Sequence, residues 1–399
     1  MPYYTIILLL FCCTSVWAQE EVYDDKRLQE IFEKATPIKD TFYIELPFEY
    51  KKQIIVSATI NKETYRFLFD TGGYNMLNKN IATSNNLTPF TEQFLNSSNG
   101  ITKPSGIVSL PNLTLGGLDF INASAYTIDL SNPGKLNCMV NGGIIGSSVI
   151  KKCVWQIDYT RKTIIMTNTL SNVNLSKDAI KVPVHFNMYK QPYVLMRING
   201  KQEMIMFDTG CSYPLWLSTR EVAQVGETSR HRTAIAGSNI ETHNGSTQND
   251  LNVMSVDAEL SGLDFTQVPV YYQDSDNYLS LLGNPLIKDY VVTLNFPERE
   301  LYLEPIKKGH QNGWKSYGIT FAFKDNGYII ESTVQGSTAE KAGLQPGTPI
   351  MSINGNRGCI DYCSCNDYFN TLLSGEAPIT ITLKNGKKIK LNKEFIFTP

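Results

Sequence analysis

Tyr65-Arg66-Phe67-Leu68-Phe69-Asp70-Thr71-Gly72 carries an apolar, strand-like run into an aspartate, and Met204-Ile205-Met206-Phe207-Asp208-Thr209-Gly210 does so a second time. A carboxylate just beyond an apolar strand is costly to bury, so a purely structural role accounts poorly for two of them. Brought together, two carboxylates share one proton and activate a water molecule, which is the chemistry of hydrolysis. One Asp-Thr-Gly alone would be explained by turn formation, because a turn after a strand recruits these residues for backbone reasons.

The surroundings repeat as well. At the offset separating the two aspartates (208 − 70 = 138), Phe48 matches Phe186, Ile60 matches Ile198, Asn61 matches Asn199 and Phe69 matches Phe207. Further on, Ile144-Ile145-Gly146 is answered by Leu281-Leu282-Gly283 and Ile150-Lys151 by Ile287-Lys288, both at 137, while Gly117-Leu118-Asp119-Phe120 recurs as Gly262-Leu263-Asp264-Phe265. A duplicated module, in order and nearly in register, explains this pattern. The halves are expected to face each other across a pseudo-twofold axis, with both aspartates in the cleft between them.

A chain of 399 residues, 42% hydrophobic, is long enough for two or three cores. Its net charge of −2 argues against a nucleic-acid partner. The apolar run Ile6 to Phe11, followed by Val16-Trp17-Ala18, reads as an export signal over residues 1–18, placing the protein in the periplasm, at the cell surface (lipid-anchored through Cys12 or Cys13 as one option) or outside the cell. The other six cysteines fit that compartment: Cys138 and Cys153 bracket the Ile-Ile-Gly segment and are placed to staple it, and Cys359 has Cys363 or Cys365 to pair with. Without a histidine near Cys359, Cys363 and Cys365, no metal site is read there.

Residues 19–40 form a charged leader with Leu28, Ile31 and Phe32 spaced for one helical face. From Thr41 the pattern becomes short alternating runs such as Ile54 to Ile60, the mark of an all-β barrel or sandwich. Asn199-Gly200 is a strong hairpin signal, with Asn61-Lys62 its less ideal counterpart. The modules are expected over 41–170 and 171–305, joined through the polar stretch Thr169 to Asn174 and followed by a linker at 306–316.

The doubled Asp-Thr-Gly, each followed after 74 or 73 residues (146 − 72 and 283 − 210) by two bulky aliphatics and a glycine, resembles the pepsin and retropepsin class of aspartic peptidases. The resemblance covers about residues 41–305. It implies a mainly β fold of two retropepsin-like barrel modules in one chain, hence a monomer acting on polypeptides without a cofactor. By it, Asp70 and Asp208 are the catalytic pair, Thr71 and Thr209 interlock across the axis, Gly72 and Gly210 permit close approach, and Ile145-Gly146 and Leu282-Gly283 pack beneath the catalytic loops. In that family a hydroxyl residue usually follows Asp-Thr-Gly and lowers a carboxylate pKa. Gly73 and Cys211 stand there instead, so the expected optimum is mildly acidic to neutral. Asn99 to Gly106 and Ala236 to Thr242 are candidate flaps. His231 and His243 are expected at the surface.

Residues 317–399 form a separate unit. Gly327-Tyr328-Ile329-Ile330, Gly336 to Leu344, Pro346-Gly347 and Ile350-Met351-Ser352-Ile353-Asn354-Gly355 occur in the order found in a PDZ domain, which they resemble. That resemblance puts a loop for a peptide C-terminus at Tyr317, Gly318, Ile319, Thr320 and Phe321, although Thr348-Pro349 and the insert from Cys359 to Asp367 depart from the pattern. The expected function is an exported aspartic endopeptidase whose PDZ unit tethers substrate or regulates. A catalytically silent peptide-binding relative is the alternative. A serine or metal hydrolase ranks last, because neither a nucleophile elbow nor a His-Glu-x-x-His segment is present.

Overall fold

The computed structural model describes residues 25–131, 134–226, 232–274, 279–306 and 313–397; the expected export signal, His231 and most of the 306–316 linker lie outside them. The fold is mainly β with barrel architecture.

Each half starts from a hairpin that leads into Asp-Thr-Gly. Strands Ile54–Ile60 and Glu63–Phe69 turn through Asn61 and Lys62, and strands Pro192–Ile198 and Lys201–Asp208 turn through Asn199 and Gly200. All four turn residues have positive φ, between 46° and 83°, as a tight primed turn requires. Ile54, Val56, Ala58 and Ile60 alternate into the core, so pleating alone decides which face is apolar.

Later strands reproduce one topology twice. Gly143–Ile145 runs parallel to the end of the first hairpin and antiparallel to Met76–Asn78, which is itself parallel to Ala123–Ile128. Leu281–Gly283 does the same beside Lys201–Asp208, with Leu215–Trp216 and Leu263–Tyr272 completing the set. The halves are joined by six antiparallel strands in the order Ile180–Pro183, Glu300–Pro305, Tyr290–Asn295, Val154–Asp158, Thr163–Thr167 and Tyr43–Tyr50. One apolar core runs through both halves and includes Phe69, Trp155, Phe207 and Leu282. Trp155 is fully buried, with its ring 5.0 Å from that of Phe69. Full burial of a large apolar side chain contributes about 1.5–3 kcal/mol, so the core beneath the aspartates is well anchored.

Helix Asp25–Glu33 and strand Thr36–Pro37 dock on the first half. Phe32 is buried against Tyr126 and Tyr74, at ring distances of 5.1 and 5.4 Å, and Thr36–Pro37 pairs with Leu118–Ile121. Residues 314–397 hold a core of their own, with Tyr317, Phe321, Tyr328 and Phe369 packed between strands Ile319–Lys324, Gly327–Val334, Pro349–Ile353, Ile379–Leu383 and Lys388–Leu391 and helix Tyr362–Ser374. Strand Gly327–Val334 also pairs with Arg232–Ala236, so this sheet continues into the second half.

One disulfide is among the expected pairings, Cys359 with Cys365, and the other is not. Cys138 bonds Cys363, Cys359 bonds Cys365, and Cys153 is a buried free thiol. A staple around the Ile-Ile-Gly segment is therefore absent. Helix Lys135–Met139 lies against helix Tyr362–Ser374, and 225 residues of chain separate the two bonded cysteines.

Candidate active site

Asp70 follows strand Glu63–Phe69 and Asp208 ends strand Lys201–Asp208, and the two meet where the halves face each other. The Asp70 N–H donates to Ile145 O at 3.0 Å, and Asp208 lies opposite Gly283 in the parallel ladder. The two carboxyl groups hydrogen-bond each other, and each accepts a backbone N–H from its own loop: Gly72 to Asp70 Oδ1 at 2.9 Å, and Gly210 to Asp208 Oδ1 at 2.7 Å.

Glycine is required at both loops because the opposite carboxylate is so close. A Cβ on Gly72 would lie 2.8 Å from Asp208 Cγ, and one on Gly210 would lie 2.6 Å from Asp70 Cγ. Gly146 and Gly283 pass under the loops equally closely: a Cβ there would sit 2.2 Å from the Tyr74 carbonyl carbon or the Tyr213 carbonyl oxygen. Ile145 and Leu282 are buried in the core next to these glycines.

Thr71 and Thr209 are fully buried and bond reciprocally. Thr71 N donates to Thr209 Oγ1 and Thr209 N to Thr71 Oγ1, both at 3.1 Å; Thr71 Oγ1 donates to Phe207 O at 2.6 Å and Thr209 Oγ1 to Phe69 O at 2.8 Å. These four bonds fix the separation of the carboxylates.

Electrostatics follow from that separation. Burial raises the pKa of both aspartates. For Asp70 the rise is opposed by hydrogen bonds from Asp208 and from the Gly72 and Gly73 N–H groups. For Asp208 the Asp70 charge and the hydrogen bond that Asp208 donates to Asp70 add to burial. The two carboxyls share one proton, and their titration belongs to the pair.

Some site residues escaped the sequence reading. Gln53 donates its side-chain amide to Gly210 O, and Gln191 donates to Gly72 O. They stand at the same offset as the aspartates (191 − 53 = 138), so the repeat itself was the signal that identifies them. Asn99 and Asn244, both buried, join the tips of two hairpins, Thr91–Asn96 with Thr102–Leu110 and Asn239–Thr242 with Gly245–Gln248. Asn99 Nδ2 donates to Ile240 O at 3.4 Å and Gly245 O at 3.1 Å, and Asn244 Nδ2 donates to Leu95 O at 2.6 Å and Ile101 O at 2.9 Å. Asn99-Gly100 and Asn244-Gly245 are counterparts at an offset of 145, the offset of the Gly-Leu-Asp-Phe repeat. The second tip thus lies just beyond the expected Ala236 to Thr242. His243, expected at the surface, is half-buried in that tip, where burial pushes its pKa down to about 4 and leaves the ring uncharged at neutral pH.

Glu241 on the second hairpin accepts the N–H groups of Lys135 and Leu136 at 2.8 and 2.9 Å, capping the helix that carries Cys138. Lys135 in turn pairs with Glu331 at 3.2 Å. Of the expected peptide loop, Tyr317, Ile319 and Phe321 are buried, and the Tyr317 hydroxyl donates to Gly375 O and Ala377 O. Gly318 has φ +75°, and Thr320 Oγ1 donates to Glu331 at 3.1 Å. Strand Ile319–Lys324 packs beside helix Tyr362–Ser374, and the groove there is lined by Phe321, Phe323, Asn366 and Phe369, with Lys135 reaching in.

In comparisons with known proteins, a family model described as aspartyl protease matches residues 56–149, which include Asp70-Thr71-Gly72 and Ile144-Ile145-Gly146. No curated protein matches the chain.

Proposed function

We propose that the protein is an aspartic endopeptidase whose catalytic pair is Asp70 and Asp208. The observation that carries this reading is the meeting of two buried carboxyls on loops locked by Thr71 and Thr209, so close that a Cβ on Gly72 would lie 2.8 Å from Asp208 Cγ and one on Gly210 2.6 Å from Asp70 Cγ. The family match over 56–149 supports it from an independent direction.

In this mechanism the ionised carboxylate removes a proton from a water held between the pair as the water oxygen bonds the scissile carbonyl carbon. The protonated carboxyl gives its proton to the carbonyl oxygen, forming a neutral tetrahedral diol. Breaking the C–N bond returns one hydroxyl proton to the ionised carboxylate, while the carboxyl that took its proton from water gives it to the departing nitrogen, so the pair ends with the one shared proton it began with. No covalent enzyme intermediate forms. Polypeptide is the substrate, and because one chain supplies both aspartates, a monomer suffices.

The export reading is supported by the two disulfides, which persist in oxidising compartments. For residues 317–399 we favour a PDZ-like unit that regulates the cleft over one that only tethers substrate. Its support is the route of contacts from the second hairpin tip through Glu241 and Lys135 to Glu331, reinforced by Cys138–Cys363. Tips bonded to each other favour a second reading, a groove that captures peptides without cutting them.

One assay separates the two readings: cleavage of an unfolded protein by the full chain, beside Asp70→Asn and Asp208→Asn. Turnover lost by at least about 10³-fold in both variants supports the peptidase. Binding without turnover in the unaltered chain supports the silent groove, and turnover surviving in either variant removes the shared-proton mechanism.

A further inference from the structure

Asp70 and Asp208 lack the hydroxyl donor that a residue following Asp-Thr-Gly would supply, since Gly73 and Cys211 stand there. Their loops are nonetheless gripped from across the axis. Gln191, from the second half, donates to Gly72 O, and Gln53, from the first half, donates to Gly210 O. The peptide unit whose carbonyl Gln191 holds is the one whose N–H, on Gly73, donates to Asp70; the unit held by Gln53 likewise presents the Cys211 N–H to Asp208. The Cys211 N–H also reaches the Asp208 carbonyl, at 3.2 Å.

A peptide unit is planar, so fixing its C=O fixes its N–H. A donor on the carbonyl also polarises the amide and strengthens the hydrogen bond that its N–H gives. Gln191 is itself held in place, with Asn187 Nδ2 donating to its Oε1 at 2.6 Å and its own N–H donating to Asn187 Oδ1 at 3.0 Å.

We propose that Gln53 and Gln191 are positioning residues that act through the Gly210–Cys211 and Gly72–Gly73 peptides to orient and strengthen the N–H bonds on the opposite half's aspartate, replacing the absent hydroxyl. The inference rests on the peptidase reading for its consequence in catalysis, but not for its geometry. Among the described residues, Tyr193 and Cys211 feel the Asp208 charge, and burial holds both above their ordinary pKa values, away from the carboxyl range.

The test uses the full chain with Gln53→Leu and Gln191→Leu, and Gln→Met at each position if a leucine variant does not fold. Two readouts are taken: the pH profile of kcat/KM, and the thermal midpoint at pH 4 and pH 7. Loss of the donor should shift at least one limb of the profile upward by about 0.5–1 pH unit, and should widen the midpoint deficit from pH 4 to pH 7, since a higher folded-state carboxyl pKa costs stability only as pH rises. Limbs that stay within about 0.2 unit of the parent, or a deficit equal at both pH values, reduce the glutamines to structural braces and overturn the proposal. If the unaltered chain cleaves nothing, the peptidase reading fails, while the midpoint comparison still decides for or against the glutamines.

Discussion

Gln156 lies directly opposite Thr293 in the ladder that joins the two halves, and its side-chain amide donates to the Thr293 hydroxyl at 3.0 Å. At the repeat offset (293 − 156 = 137) Thr293 is the counterpart of Gln156, so the pseudo-twofold axis runs between a residue and its own copy. It emerges between Thr71 and Thr209, which are also counterparts. The two Asp-Thr-Gly loops therefore share the axis of the sheet that joins the halves.

Thr71→Val or Thr209→Val keeps the side-chain shape but deletes one hydroxyl that both donates and accepts. Each should cost about 1–3 kcal/mol, because a buried carbonyl and a buried N–H lose a partner. Denaturant unfolding measures it, and a loss below about 0.5 kcal/mol in both variants would show that the grip contributes little.

Both dyad carboxyls have folded-state pKa values raised above those of the unfolded chain. The sign follows: stability is fully present below the unfolded carboxyl pKa and declines as pH rises through the folded values. The thermal midpoint should fall from pH 4 toward pH 8, and Asp208→Asn, which leaves a single ionisable carboxyl where there were two, should flatten that fall while abolishing turnover. A midpoint curve unchanged by the substitution contradicts the assignment.

Cys211 Sγ sits 3.5 Å from Tyr213 O and gives Asp208 no strong side-chain donor. Cys211→Ser introduces a hydroxyl of nearly the same size beside that carboxyl, which stabilises the ionised form. The pH optimum should move down by about half a unit to one unit; an upward or absent shift in the rate profile runs against it.

Reduction of Cys138–Cys363, or Cys138→Ser, should cost about 2–4 kcal/mol and loosen the contact between the second hairpin and residues 314–397. Hydrogen exchange over residues 239–248 should quicken relative to the core strands. Equal protection in both redox states would mean that the remaining bonds hold the tip unaided.

What the sequence disclosed divides along physical lines. The hairpins at Asn61-Lys62 and Asn199-Gly200, the two Asp-Thr-Gly loops and the aliphatic-Gly strands could be read, because pleat alternation and tight turns leave local marks. A constant offset fails between these marks: seven more residues lie between the dyad loop and the tip in the second half (244 − 208 = 36 against 99 − 70 = 29), so the offset alone places the second flap too early. The Cys138–Cys363 bond was invisible to spacing, since it joins two helices brought together only by the packing of residues 314–397. Gln53 and Gln191 carried the repeat signal, but their role depends on a carbonyl in the opposite half.

The exchanged asparagine bonds at the hairpin tips have a mechanical consequence. Asn99 grasps carbonyls of one tip while Asn244 grasps carbonyls of the other, so raising either arm breaks both sets together, and a half-raised state saves nothing. The two tips are thus tied as one unit. The second arm is also fastened through Glu241 to the N–H groups of Lys135 and Leu136, so parting the tips falls to the first arm.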